Sequence, residues 1–298
     1  MLRAERALGI DAVVLSTTGM PVHRASSSES EEECVGTTSR NDPLVVSDSP
    51  SHSLRRSTLR PQPVVSVDVQ KKSEIPKPSL FNTPVNDFKL PTEPFTSPVL
   101  SKDEKVLRLQ TLDETQVRGC TKCRLHETRT NTVFGEGNPE ARIMFIGEGP
   151  GETEDLQGRP FVGKAGQLLD RMIQAMGLNR SDVYICNIVK CRPPNNREPA
   201  PDEVATCTPY LLEQIEIVRP EVIITLGRPA TQFILQSKLA MNRLRGQWHL
   251  WRGISIMPTY HPAYLLRNYT AQTRGAVWSD LKQVLQRLGL SVPKRSEE

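Results

Sequence analysis

The chain has 298 residues, a formal net charge of +4 and 37% hydrophobic residues, which is enough for one large core or two smaller ones. No apolar run reaches the roughly 18 residues a spanning helix needs, and Asp11 breaks the short apolar stretch behind Arg3 and Arg6, so neither a membrane protein nor a secretory leader is expected. Six cysteines in a chain this long do not make a disulfide scaffold; they predict a reducing, cytoplasmic setting in which clustered thiols bind metal.

Residues 1–100 contain no Trp and no Tyr and are rich in Ser, Pro, Thr and Val. An acidic serine run, "SSSESEEE" (26–33), and a proline every few residues near 75–99 bury too little apolar surface to offset ordering entropy, so a disordered tail is expected over 1–100. "ALGIDAVVL" (7–15) is its one candidate docking segment, and the tail's partner is open. The tail carries 11 Lys+Arg against 12 Asp+Glu, which leaves 27 against 22, or +5, for the remainder. All three Trp and all five Tyr lie beyond residue 180, and periodic patterning begins near Lys102. A folded domain is therefore expected over 101–292, with a flexible C-terminus at 293–298. Its mild basicity suits a polyanionic partner.

The domain opens on a C-x-x-C, Cys120 and Cys123, in "RGCTKCRLHETR". An apolar run, "ARIMFIG" (141–147), reads as a strand, followed by the loop "GEGPGETED". Next comes "GRPFVGKA" (158–165), which places Gly158, Gly163 and Lys164 on the spacing of a phosphate-binding loop. Such a loop must follow a buried strand directly and end in Ser or Thr for magnesium; acidic residues precede this one, Pro160 removes an amide and Ala165 replaces the hydroxyl, so nucleotide binding is not expected.

A helix (166–177), a strand (182–190) and a proline-rich loop, "RPPNNREPAP", come next. Cys191 and Cys207 bracket that loop. Four thiolates from two distant segments suit one tetrahedral zinc or one iron–sulfur cluster; the wide second pair favours a structural cluster and ranks zinc second. Cys186, within the strand, reads as a small core hydrophobe, and Cys34 has no evident role. A helix (201–218), a strand (221–227), a helix (228–236), a strand (254–260), the loop "HPAYLLRN" and a last helix (273–288) complete the chain. Near-continuous apolar strands alternating with helices predict a three-layer α/β/α sandwich around a mostly parallel four-stranded sheet, with ligands bound at the strands' carboxyl ends.

Taken in order, "GEGPGETED", "GRPFVGKAG", "NIVKCRPP" and "HPAYLLR", together with the four cysteines, resemble the family 4 uracil-DNA glycosylases, iron–sulfur members of their superfamily, over about residues 103–290. The resemblance implies a monofunctional, monomeric base-excision-repair enzyme. It would act on uracil-containing DNA, would hydrolyse the N-glycosidic bond of a flipped-out deoxyuridine and would be nucleoid-associated when acting. Cys120, Cys123, Cys191 and Cys207 would hold a [4Fe–4S] cluster. Phe161 would stack on the flipped base, and Asn187 would read its edge by donating to O4 and accepting from N3–H, a pattern that cytosine reverses. His261 would donate to uracil O2 as the bond breaks. Glu148 would either activate water or stabilise an oxocarbenium-like sugar. Gly149 would let its amide approach the base. Pro150, Gly151 and Lys164, with Pro262, Tyr264, Leu265 and Arg267, are expected at the DNA, with Tyr264 and Leu265 as wedges. Ala263 stands where the superfamily commonly has Ser. No basic insertion follows "GRPFVGKAG", so turnover rather than covalent trapping is expected. The rival reading is a non-catalytic iron–sulfur DNA-binding module of the same fold.

Overall fold

A computed structural model describes residues 89–293; the expected tail up to residue 88, its docking segment, Cys34 and residues 294–298 lie outside the described residues. The folded chain begins with α1 (Lys102–Leu112), whose start is set by a capping box. Ser101 Oγ accepts from the Glu104 amide at 3.4 Å, and the Glu104 carboxylate accepts from the Ser101 amide at 2.9 Å. A single π-helical turn, Asp113–Val117, leads from α1 to the C-x-x-C.

Six strands and seven further helices follow. They are β1 (Glu136–Gly137), β2 (Ile143–Gly147), α2 (Glu152–Gln157), α3 (Lys164–Ala175), β3 (Tyr184–Asn187) and α4 (Pro201–Val218). Then come β4 (Val222–Leu226), α5 (Arg228–Leu235), α6 (Met241–Leu244), β5 (His249–Trp251), β6 (Ile254–Thr259), α7 (Pro262–Arg267) and α8 (Ala271–Arg287). The sheet order is β1-β3-β2-β4-β6-β5. The inner four strands are parallel, as the apolar runs predict, while β1 and β5 add antiparallel edges that sequence patterning does not reveal. Strands of two and three residues are too short to show a period.

Both faces of the sheet are covered. Met144, Ile146, Cys186 and Ile223 point toward α1, α4 and α5, and their alternates Phe145, Ile185, Val222 and Ile224 toward α3, α7 and α8. Cys186 is fully buried in the first layer, as its strand position predicts. From β2 the chain steps to β3 on one side and later to β4 on the other, so the sheet's switch point lies at the carboxyl end of β2, where α/β folds place their ligands.

Residues 89–100, which composition assigns to the tail, lie against this body as an extended strap. Leu90 is 4% exposed, and Phe95 meets Trp251 edge-on at 6.3 Å. The guanidinium groups of Arg252 and Arg219 lie 3.7 and 4.2 Å from the Phe95 ring centroid. Arg252 also donates to the Glu93 carbonyl at 2.7 Å, and Arg219 to the Ser97 hydroxyl at 2.8 Å. Burial of the two apolar side chains and the paired cation–π contacts are together worth about 2–4 kcal/mol. A chain starting at residue 101 is accordingly expected to melt several degrees below one starting at residue 89. Equal melting temperatures in thermal unfolding would show that the strap contributes nothing.

Candidate active site and cysteine centre

The carboxyl ends of β2, β3, β4 and β6 open onto a cleft of about 790 Å³. Its floor is set by Gly147, the last residue of β2. A Cβ there would stand 2.5 Å from both the Phe161 ring and Asn187 Oδ1, so the ring and the amide meet across a position that accepts no side chain. Asn187 ends β3 and is 1% exposed, and its Oδ1 is buried without a hydrogen-bond partner among the described residues. An orphaned buried amide oxygen costs on the order of 1–3 kcal/mol, which a ligand carrying an N–H would recover.

Phe161 adopts a left-handed backbone, φ 51°, which bulky residues avoid. Three features hold it there. A Cβ on Gly166, in the first turn of α3, would lie 1.9 Å from the Phe161 carbonyl oxygen, so only glycine admits this turn. The Glu154 carboxylate accepts from the Val162 amide at 2.9 Å and the Gly163 amide at 2.8 Å. Arg180 donates to the Pro160 carbonyl while pairing with Glu136 and Asp170. The Phe161 ring then lies 5.6 Å from the His261 ring, tilted by 35°. Asp155, 2% exposed, accepts from the Thr130 and Asn131 amides, so Glu154 and Asp155 both shape the loop.

His261 follows β6 and caps α7. Its Nδ1 accepts from the Ala263 amide at 3.0 Å, which puts the proton of the neutral ring on Nε2. Burial, followed by the Arg267 charge, pushes its pKa down to about 4, so the ring is neutral near pH 7. A backbone amide therefore orients the imidazole, and Ala263 needs no hydroxyl for that. The strand end that delivers His261 is tied down through Thr259, whose hydroxyl donates to Asp280 at 2.7 Å, while Arg245 pairs with the same carboxylate at 2.6 Å.

Glu148 lies one residue beyond β2 and lines the cleft. Burial, with the neighbouring Glu198 carboxylate, raises its pKa to about 7 against the opposing charge of Arg228. Arg228 is itself paired with Glu198 at 2.8 Å. Gly149, Pro150 and Gly151 continue the lining, as do Tyr264 and Arg267 on the opposite wall. Tyr264 is 38% exposed and stacks on Tyr260 at 4.9 Å.

Two residues expected at the DNA are buried in this conformation. Leu265 is 0% exposed, packed in the core layer beneath α7, whereas the outward leucine is Leu266, at 41%. Pro262 occupies the first position of α7 and is buried, its fixed φ serving the helix start. Lys164 is exposed at the start of α3 and is not part of the cleft lining. Sequence reading also misses Tyr260, Arg228 and the proline-rich loop, whose Pro193, Asn196 and Arg197 reach the cleft. A loop has no period to reveal its facing, although its place beyond a strand end is a usable signal.

Beside the cleft, Cys120 and Cys123, Cys191 and Cys207 all line one small cavity. None of the four is in a disulfide. Hydrogen-bonding groups are directed at three of the sulfurs: Arg129 donates to Cys191 Sγ at 3.0 Å, the Lys190 amide to Cys207 Sγ at 3.2 Å, and the Tyr210 hydroxyl lies 3.4 Å from Cys120 Sγ. Burial pushes the Cys207 thiol up to about 12 and raises Cys123 and Cys191 as well. Buried thiols met by donors form a set suited to metal-bound thiolate, whose charge those donors stabilise. Among the described residues, no group of three or more Cys, His, Asp or Glu is gathered as a single-ion site. Among the same residues, no helix is long and apolar enough to cross a membrane.

A three-layer sandwich with a cleft at its switch point, floored by an aromatic ring and an unpaired amide, defines a class of protein. The family described as the uracil DNA glycosylase superfamily matches residues 134–282, and the chain belongs to it. Its relatives narrow the assignment to the type-4 branch. It is 51% identical over 170 residues to the type-4 uracil-DNA glycosylase of Thermotoga maritima, covering 56% of this chain and 88% of that one. It is 48% identical over 182 residues to the Saccharolobus solfataricus type-4 enzyme, covering 58% and 83%. With the type-4 enzyme of Archaeoglobus fulgidus it shares 44% identity over 195 residues, covering 62% and 97%.

Proposed function

We propose that this chain is a monofunctional uracil-DNA glycosylase of base-excision repair, hydrolysing the N-glycosidic bond of a flipped-out deoxyuridine. The observation that carries the reading is the orphaned Asn187 Oδ1 beside the Phe161 ring. In this reading Phe161 stacks on the extruded base, and Asn187 accepts from N3–H through Oδ1 and donates to O4 through Nδ2. Cytosine, with an acceptor at N3 and a donor at N4, presents the reverse pattern and is refused. As the glycosidic bond lengthens, negative charge collects on the uracil ring. The Nε2–H of neutral His261 donates to O2, and the ring needs no titration to do so. Glu148, which lines the same cleft, serves as the base for the attacking water. Arg267 and Tyr264 serve the DNA at the rim, and Leu266 replaces Leu265 as the apolar contact there. That Glu148, Phe161, Asn187 and His261 all line one cleft argues against a merely DNA-binding module.

Cys120, Cys123, Cys191 and Cys207 fit a [4Fe–4S] cluster. When bound, such a cluster would cross-link the segment after α1, the end of β3 and the first turns of α4, and it supplies no group to the reaction. A monomer acting in the cytoplasm on uracil-containing DNA completes the proposal. Anaerobically purified protein is expected to release uracil from a uracil-containing oligonucleotide, leave an abasic site, and show stoichiometric iron and sulfide. Folded, iron-loaded protein that releases no uracil defeats the enzymatic reading.

A pH dependence follows from Glu148. A base with a pKa of about 7 is protonated below that value, so kcat/KM is expected to climb about tenfold per pH unit up to pH 7 and then level off. His261, neutral above about pH 4, adds no second inflection in that range. In Glu148→Gln the rate should be lower and flat between pH 5 and 8; a slope that persists in this variant would remove Glu148 as the titrating base.

A further inference from the structure

Lys190 lies between the two halves of the site and belongs to neither set of functional residues above. It is 1% exposed. Its Nζ donates to the backbone carbonyl of Asn187 at 2.9 Å and to the side-chain oxygen of Gln214. Gln214 is also buried, and its Nε2 donates to the Phe134 carbonyl at 3.0 Å and the Tyr184 hydroxyl at 3.2 Å, which leaves its oxygen directed at the lysine. On the other side, the Lys190 amide donates to Cys207 Sγ, and Lys190 borders the cavity shared by the four cysteines.

No carboxylate pairs with Lys190 among the described residues. A buried ammonium facing only neutral oxygens is strongly unfavourable unless an opposite charge lies close by. The neighbouring groups that become anionic on binding metal are the thiolates.

We propose that Lys190 is a positioning residue that couples the cysteine centre to the base-reading pocket. Its buried charge balances the thiolates of the metal-bound cysteines, and its hydrogen bond to the Asn187 carbonyl fixes the amide that reads uracil. This rests on the uracil-glycosylase and cluster readings given above. The same side chain thus serves metal retention and base recognition, and the two effects separate by substitution. Methionine removes both charge and donor. Arginine keeps the charge, but its rigid planar fork cannot reproduce a point donor in a closed space.

Full-length wild-type protein, Lys190→Met and Lys190→Arg are compared after anaerobic purification. Iron release to a ferrous chelator is followed by visible absorbance, and the inhibition constant of free uracil reports on the pocket. Loss of an outer-shell partner typically weakens a metal site about 10–100-fold, so Lys190→Met is expected to release iron at least about tenfold faster than wild type. Its inhibition constant for uracil is expected to rise about tenfold, one misplaced hydrogen-bonding group at a buried edge. Lys190→Arg is expected to retain iron within about threefold of wild type while still binding uracil more weakly. Equal iron release by wild type and the Met variant overturns the charge role, and an unchanged uracil constant in the Met variant overturns the anchoring role. Should the Met variant not fold by circular dichroism, the Arg variant decides: rapid iron loss from it refutes the charge role, and wild-type uracil binding refutes the anchoring. Wild-type protein that holds iron yet releases no uracil defeats the glycosylase reading and leaves the chelator comparison intact. Wild-type protein without iron defeats the cluster reading and this proposal together.

Discussion

His261→Ala is expected to slow uracil release by about 10²–10³-fold in kcat, the usual cost of removing one donor aimed at developing negative charge. The expectation rests on three properties of this imidazole. Its ring is held at Nδ1 by the Ala263 amide, so Nε2–H is the donor left for substrate. Its pKa, lowered to about 4, keeps that donor neutral, so no proton must be lost or gained before reaction. Its ring also packs beside Phe161, the proposed stacking surface, which in that reading aligns donor and leaving group. The deficit is therefore expected in kcat far more than in KM, because the contact strengthens only as charge moves onto the base. Single-turnover release from a uracil-containing duplex checks this, with iron content and visible absorbance equal to wild type as the control. A full-rate variant would take His261 out of the catalytic set.

Asn187→Ala is expected to reduce kcat/KM on uracil by about 100-fold and to narrow the preference for uracil over cytosine by a similar factor. In the proposed reading the amide performs two tasks with one side chain. It attracts a donor–acceptor edge of one polarity, and it leaves its own buried groups unpaired when the opposite edge enters. Alanine removes the attraction and the refusal together. The free protein already carries the unmet cost at Oδ1, so part of the binding energy of uracil is the relief of a strain built in at folding. Competing uracil- and cytosine-containing oligonucleotides measure the ratio directly; an unchanged ratio would mean that another group reads the base.

The parallel strands and most helices are legible in the sequence because their apolar residues are periodic. The helix over 201–218 and its proline start stand where patterning puts them. Edge strands β1 and β5 are not legible, since pairing rather than periodicity defines them. Leu265 and Leu266 show a different limit. An apolar pair cannot say which member faces inward until the angle of α7 on the sheet is known. Phe161, Asn187 and His261 could be singled out through motif resemblance, whereas the meeting of ring and amide over Gly147, and of His261 with the same ring, depends on three segments distant in sequence. The strap at 89–100 escaped because proline-rich composition hides a single anchoring aromatic, Phe95, whose arginine partners lie more than 120 residues away in sequence.

The loop at 158–165 has the glycine spacing of a phosphate cradle. Two of its amides, those of Val162 and Gly163, do gather around an anion, but that anion is the chain's own Glu154. Satisfied internally, the loop has no call on a nucleotide, and the stacking ring is set before any base arrives. Capturing uracil then requires no ordering of the protein at that wall, so the energetic work of extrusion falls on the DNA. Uracil in weakly paired or unpaired positions should enter this cleft most readily, a selectivity written into the nucleic acid rather than into any contact the protein makes.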